Sequence, residues 1–225
     1  MFRASFAAFA GAALLYGCAS SPAGKQETAP AAATSPLAGL VGRQILVLPA
    51  QFLSVANAVG GSDIVPAGES VLPILDEEIA DAFRKRGVKS NWTFGGEITA
   101  RADRNGGLAG DARNLGAAPI RRIKPGDTPL PEPIAGNVRN LAALTSARFV
   151  VLPIEVHIDV RDNERKGSVR LLLIDSRTAR VTWADDVRAD TLRDPQIVSE
   201  AMTPYGFRML ARDIASKFAD MVVAQ

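Results

Sequence analysis

The stretch that decides the fold is Ala147-Arg-Phe-Val-Val-Leu-Pro-Ile-Glu-Val-His-Ile-Asp159, continued by Ser168-Val-Arg-Leu-Leu-Leu-Ile-Asp175 and by Arg180-Val-Thr-Trp-Ala-Asp-Asp-Val-Arg-Ala189. Val150, Leu152, Ile154, Val156 and Ile158 recur at every second position, which predicts a long strand with one apolar face. Val169, Leu171 and Leu173 repeat the pattern, as do Val181, Trp183 and Val187. Asp175-Ser-Arg-Thr-Ala179 supplies a turn, and Arg161–Lys166 a polar connection. Three strands joined by short links predict an antiparallel meander.

Upstream of the meander, strands and helices alternate. The apolar run Arg43–Leu53 predicts a buried central strand. A Gly/Ala/Ser-rich connection covers 54–69. Leu72, Leu75, Ile79 and Phe83 recur at helical spacing and predict a helix over 70–86, capped by Ser70 and closed by Gly87. Asn91-Trp-Thr-Phe94, reaching toward Ile98, predicts a short strand. Residues 99–132 are rich in Gly, Pro and basic residues and predict a long loop, with a short helix near Leu108–Leu115. Ile134, Val138, Leu141 and Leu144 mark a second helix. Downstream, Asp194-Pro195 starts a last helix, and Pro204 kinks or splits it. Beyond Pro204, Phe207, Leu210, Ile214, Phe218 and Met221 continue its apolar stripe. The expected architecture is a single α/β sandwich with a mixed sheet, in the order β-α-β-α-β-β-β-α.

The amino-terminal residues read as an address. Arg3 and the amino group precede the uncharged run Ala4–Tyr16, too short to span a bilayer and of the right length for a signal peptide. Leu15-Tyr16-Gly17-Cys18 resembles a bacterial lipobox, with Tyr16 where a smaller residue is usual. That resemblance implies cleavage after residue 17 and acylation of Cys18. Two or more acyl chains anchor stably where one does so marginally. Ala19 after the Cys resembles an outer-membrane sorting signal. Residues 19–41, dominated by Ala, Pro, Ser, Thr and Gly, have no apolar periodicity and predict a flexible tether with a span of about 25–30 Å. The expected organisation is a signal peptide over 1–17, lipidated Cys18 and tether over 18–42, and a domain over 43–225 that carries the 99–132 loop.

Composition excludes several functions. Charge nearly cancels, with 26 Lys+Arg against 24 Asp+Glu for a net +2, so no nucleic-acid partner is expected. One Cys and one His rule out a Cys/His zinc site, which takes about four such ligands. No cofactor-binding loop is present: Gly60-Gly61 and Gly106-Gly107 lack the spacing of phosphate loops.

Glu155, His157 and Asp159 share one face of their strand. They have the chemistry of a metal trio or of a base held by a carboxylate; a solvated sheet face has the same pattern. Asp76-Glu77-Glu78 reads as a solvated first helical turn, and Asp185 and Asp186 fall on opposite faces. No Gly-x-Ser-x-Gly elbow accompanies the His. We therefore assign no catalytic and no metal-ligating residue. The basic cluster Arg121, Arg122 and Lys124 is the candidate binding site, suited to lipid headgroups, lipopolysaccharide phosphates or an acidic partner. A solvated loop is the alternative.

Three features together carry a family resemblance: Ala147-Arg-Phe-Val-Val-Leu152 after an amphipathic helix, the hairpin Leu172-Leu-Ile-Asp-Ser-Arg-Thr-Ala-Arg-Val-Thr-Trp183, and the closing helix. The hairpin resembles the Asp-x-x-Thr-Gly-x-x-x-Trp pattern of periplasmic lipoproteins, with Ala179 in place of the turn Gly. The chain resembles the superfamily of the TolB amino-terminal domain, the curli-secretion lipoprotein and the lipoprotein activators of penicillin-binding proteins. The resemblance implies a non-catalytic envelope domain that binds other proteins; with the lipobox and Ala19, the expected placement is a lipid-anchored, periplasm-facing module of the outer membrane. An envelope hydrolase using His157, or a subunit of an oligomeric secretion pore, are the alternatives.

Overall fold

The computed structural model describes residues 37–56, 71–88, 91–105, 109–126, 129–161, 164–192 and 204–223. The lipobox with Cys18, the helix cap Ser70, the Asp194-Pro195 helix start and both Gly-Gly pairs lie outside these residues.

The long strand predicted from 147–159 forms the centre of a six-stranded sheet. It is Phe149–Arg161 (β4, after β1 Ile45–Val47, β2 Phe52–Ala56 and β3 Trp92–Thr93). Both β1 and β2 pair with β4 in parallel, along successive parts of its length, and β3 pairs in parallel with β1. On its other side β4 pairs antiparallel with β5 (Glu164–Asp175), and β5 with β6 (Arg180–Arg188). The sheet is therefore mixed, as expected, and its antiparallel half is the predicted meander. Helices α1 (Leu72–Lys85), α2 (Gly95–Arg104), α3 (Ile134–Ala143) and α4 (Pro204–Val223) complete the α/β fold. The single strand expected over 43–53 is instead two pieces, interrupted at 48–51 around Pro49.

One irregularity in β4 corrects the alternation read from sequence. Between Pro153 and Glu155 the pairing with β5 slips by one residue. A bulge of this kind reverses which face each later side chain points to. Val150, Leu152 and Ile154 pack with α3 on one face, whereas Val156 and Ile158 pack on the opposite face with α4. The five residues do not share a face. Val151 joins Val156 and Ile158 across the bulge.

Each face has its own cover. On the first, α1 and α4 bury Leu75, Ile79, Phe83, Leu210, Ile214 and Phe218 against the sheet. Phe83 sits among Trp92, Phe94 and Phe218, with ring centres 4.9, 5.5 and 5.0 Å away. The two helices are also tied by charge. Glu78, almost fully buried, accepts from Arg208 at 2.8 Å and Arg212 at 3.2 Å, and Arg86 donates to Asp220 at 2.7 Å. Because 78 pairs with 208 and 212 while 86 pairs with 220, the helices run in the same direction. The first acidic turn of α1 is thus not solvated as expected: Asp76 and Glu78 are buried.

The second face is covered by α2, α3 and the segment between them. The stretch 99–132, expected as a long loop, begins inside α2 and then lies down on the sheet. Ala109, Ala112, Leu115, Ala117, Ile120 and Leu130 are all buried. The interruption between β1 and β2 fastens it. Gln51 donates to the Ala112 carbonyl at 3.1 Å and accepts from the Leu115 N–H at 3.0 Å. Residues 37–42, assigned to the tether from composition, also belong to the domain, since Leu37 and Leu40 are buried in the first core. The turn residue Ala179 takes the left-handed φ of 52° that a Gly would adopt freely, and its methyl is fully buried.

Candidate functional site

The Pro153–Glu155 bulge also creates the site. Past it, Glu155 and His157 point to the second face, beyond the area that α2 and α3 cover. The register aligns His157 with Ser54 on β2 and with Ser168 on β5, and aligns Glu155 with Arg170, which in turn faces Asp186 on β6. Alternation puts these side chains on one surface. The basic segment 118–124, held down by Ile120, forms a wall along it.

The result is an open cleft of about 360 Å³ lined by Arg121, Arg122, Lys124, Glu155, His157, Ser168, Arg170 and Asp186. A second depression of about 520 Å³ adjoins it, sharing Arg121, Arg122, Glu155 and His157 and reaching Ser54, Ala118 and Pro119. The two groups singled out from sequence, the basic cluster and His157 with Glu155, therefore meet in one place, while Asp159 is not among the lining residues. Nothing in the sequence joined them, because 34 residues separate Arg121 from Glu155.

Within the cleft the roles differ. Arg121 forms a two-point ion pair with Glu155, its Nε donating to Oε2 at 3.2 Å and its Nη2 to Oε1. Its guanidinium also lies 5.0 Å from the centre of the Phe52 ring. The Arg121 hydrogen bond holds the Glu155 carboxyl below its ordinary range, against the effect of partial burial, and Ser54 adds a further hydrogen bond. Arg121 thus anchors the basic wall to β4. Arg170 donates to Asp186 at 3.3 Å and to the Ile123 carbonyl at 3.1 Å, fastening the far end of the same wall. Arg122 and Lys124 are exposed, and among the described residues neither has an ion-pair partner. Among the described residues no cluster of three His, Cys, Asp or Glu side chains has a metal-binding arrangement.

A second polar centre lies near the β1–β2 interruption. Asp76 accepts from the Ala50 N–H at 3.0 Å and from Arg113 Nη1 at 3.0 Å. Burial pushes its carboxyl up to about 6, against the pull of Ala50 and Arg113. Gly95 makes room for it: a Cβ there would come within 3.3 Å of Asp76 and of the Pro49 backbone. Asp76 joins α1, the strand interruption and the 109–126 segment. Its burial had a signal in the sequence, since it falls four residues after Leu72 and three before Ile79, on the apolar stripe.

No protein-family profile matches the chain, and no curated protein matches it in sequence. Among solved structures it is similar to the carboxy-terminal domain of LpoB from Salmonella enterica, at 12% identity over 72% of this chain and 96% of that one, with a TM-score of 0.38. It is similar to the hypothetical protein CT253 from Chlamydia trachomatis, at 16% identity over 80% of this chain and 98% of that one, with a TM-score of 0.37. It is also similar to lipoprotein GNA1162 from Neisseria meningitidis, at 11% identity over 74% and 97%, with a TM-score of 0.36. At these scores the likenesses add nothing to the fold and site described above, which rest on the chain's own residues.

Proposed function

We propose that this chain is a lipid-anchored protein of the bacterial cell envelope that acts as a non-catalytic binding or assembly module. The observation that carries the reading is Leu15-Tyr16-Gly17-Cys18 followed by a Pro/Ala/Ser-rich stretch. Acyl chains on Cys18 hold the protein at the outer membrane, and the tether places the α/β domain in the periplasm. The organisation is a signal peptide over 1–17, the anchor and tether from Cys18 to about residue 36, and the domain after it. Its partner is an envelope component that engages the cleft around Arg122 and Lys124. Against a hydrolase stands the state of Glu155: the carboxylate placed to orient His157 is already committed to Arg121.

The anchor is tested by replacing Cys18 with Ser and fractionating cells. Release from the membrane fraction is the expected result, and unchanged retention defeats the lipid argument. The binding role is tested by crosslinking in intact cells, where recovery of no envelope component counts against it. The purified chain is expected to turn over no ester, amide or glycosidic envelope substrate; turnover that His157→Ala abolishes would favour the hydrolase.

A further inference from the structure

We infer that the cleft between the 118–124 wall and the β4–β5–β6 surface binds a phosphate monoester carried on a sugar or glycerol headgroup. The inference rests on the reading of this face as the binding site and adds the chemistry of what it takes.

Charge accounting points to a doubly charged anion. Each carboxylate in the cleft already has one arginine: Glu155 holds Arg121 and Asp186 holds Arg170. Those pairs cancel. Among the described residues Arg122 and Lys124 remain as a surplus of two positive charges on one wall. A phosphate monoester carries about −1.5 to −2 at neutral pH and matches that surplus. Donors are in place to receive it. The Arg170 guanidinium lines the cleft beside its ion pair with Asp186. The Ser168 hydroxyl and the His157 ring line the same cleft.

The remaining lining argues for a polar carrier. Glu155 and Asp186 keep acceptor lone pairs that suit hydroxyl groups, which a sugar or glycerol presents beside its phosphate. The volume, about 360 Å³, is that of a small-ligand pocket. Neither depression is lined by a Phe, Tyr, Trp or large aliphatic side chain. That disfavours an acyl chain, and it disfavours a protein partner anchored by buried aromatic residues. A solvated wall would need no such convergence of a guanidinium, a hydroxyl and two surplus cations in a single concavity.

The test is calorimetric titration of the full chain in neutral detergent with glucose 6-phosphate, glycerol 3-phosphate and a polyglutamate peptide, at constant ionic strength. Flotation of the unacylated Cys18→Ser chain with phosphatidylcholine vesicles containing phosphatidic acid, against phosphatidylcholine alone, forms a parallel arm. Saturable binding of either phosphate ester is expected, weakened at least tenfold in Arg122→Ala/Lys124→Ala. The control Arg84→Ala/Arg139→Ala removes the same charge elsewhere and is expected to bind like the parent. Flotation lost in the first double variant would assign the carrier as a lipid headgroup; ester binding without flotation would assign a soluble one. Binding of polyglutamate alone, equal losses in both double variants, or no binding would overturn the proposal. Unchanged thermal unfolding of the variants separates a lost site from a lost fold. Fractionation of Cys18→Ser reads the anchor independently, so failure of one reading does not imply failure of the other.

Discussion

Arg121 and Glu155, remote in sequence, form a two-point ion pair that fastens the basic wall to the strand carrying His157. Arg121, a candidate binding residue from sequence, thereby serves as a fastening, and its neighbours Arg122 and Lys124 are left exposed.

Glu155→Gln removes the charge from this pair while keeping its size. Both side chains are partly exposed, so the loss is small, about 0.5–1 kcal/mol in urea unfolding at neutral pH. The folded carboxyl titrates below its ordinary value, so its contribution is present above that value and lost as pH falls through the lower one. The variant is expected to show a shallower fall of stability in acid than the parent.

Asp76 has the opposite sign. Its folded pKa of about 6 lies above the ordinary 3.8, so the folded state holds the proton more tightly. The contribution is complete below the ordinary value and is lost as pH rises through about 6. Each tenfold difference in proton affinity is worth about 1.4 kcal/mol, which makes the whole change about 3 kcal/mol. Asp76→Asn is expected to flatten the stability profile across that window. Asp76→Ala additionally strands the Ala50 N–H and is expected to cost about 1–3 kcal/mol at pH 4. Denaturant unfolding at a series of pH values reads both.

Glu78 provides a test of redundancy. Arg208 and Arg212 both serve its buried carboxylate. Either arginine replaced by Ala leaves one partner, and each single change is expected to cost about 1 kcal/mol or less. The double replacement leaves a buried charge unpaired and is expected to cost about 3–5 kcal/mol, well beyond the sum. A double-mutant cycle measures the difference.

Phe83 is fully buried among three aromatic rings from β3, the following residue Phe94, and α4. Phe83→Ala is expected to cost about 3–5 kcal/mol in equilibrium unfolding, through lost burial and the cavity left behind. Phe83→Leu is expected to recover a large part of that.

Legibility followed the range of the interaction. The meander, α1 and α3 were readable because periods of two and of about three and a half are local properties of the chain. Gly87 was readable as a helix terminator for the same reason, and it takes a positive φ of 73°. Helix α2 was missed: Gly95 and Gly96 stand at its start, and it buries only Gly95, Ile98 and Ala102. The 109–126 segment was read as loop because its buried residues are mostly alanines without period, yet Gln51 and the face of the sheet give them an environment.

Sequence by itself determined the α/β class, the order of the main elements and the face shared by Glu155 and His157, since each depends on neighbours a few residues apart. Only the tertiary structure decided which face that is. The bulge between Pro153 and Glu155 reverses the alternation, and a one-residue slip is invisible when both faces of a strand are apolar on one side of it. Tertiary structure also decided that the basic wall and the His157 strand form one cleft. That convergence depends on Arg121 and Ile120 reaching the sheet across a long stretch of chain, and no local period encodes it.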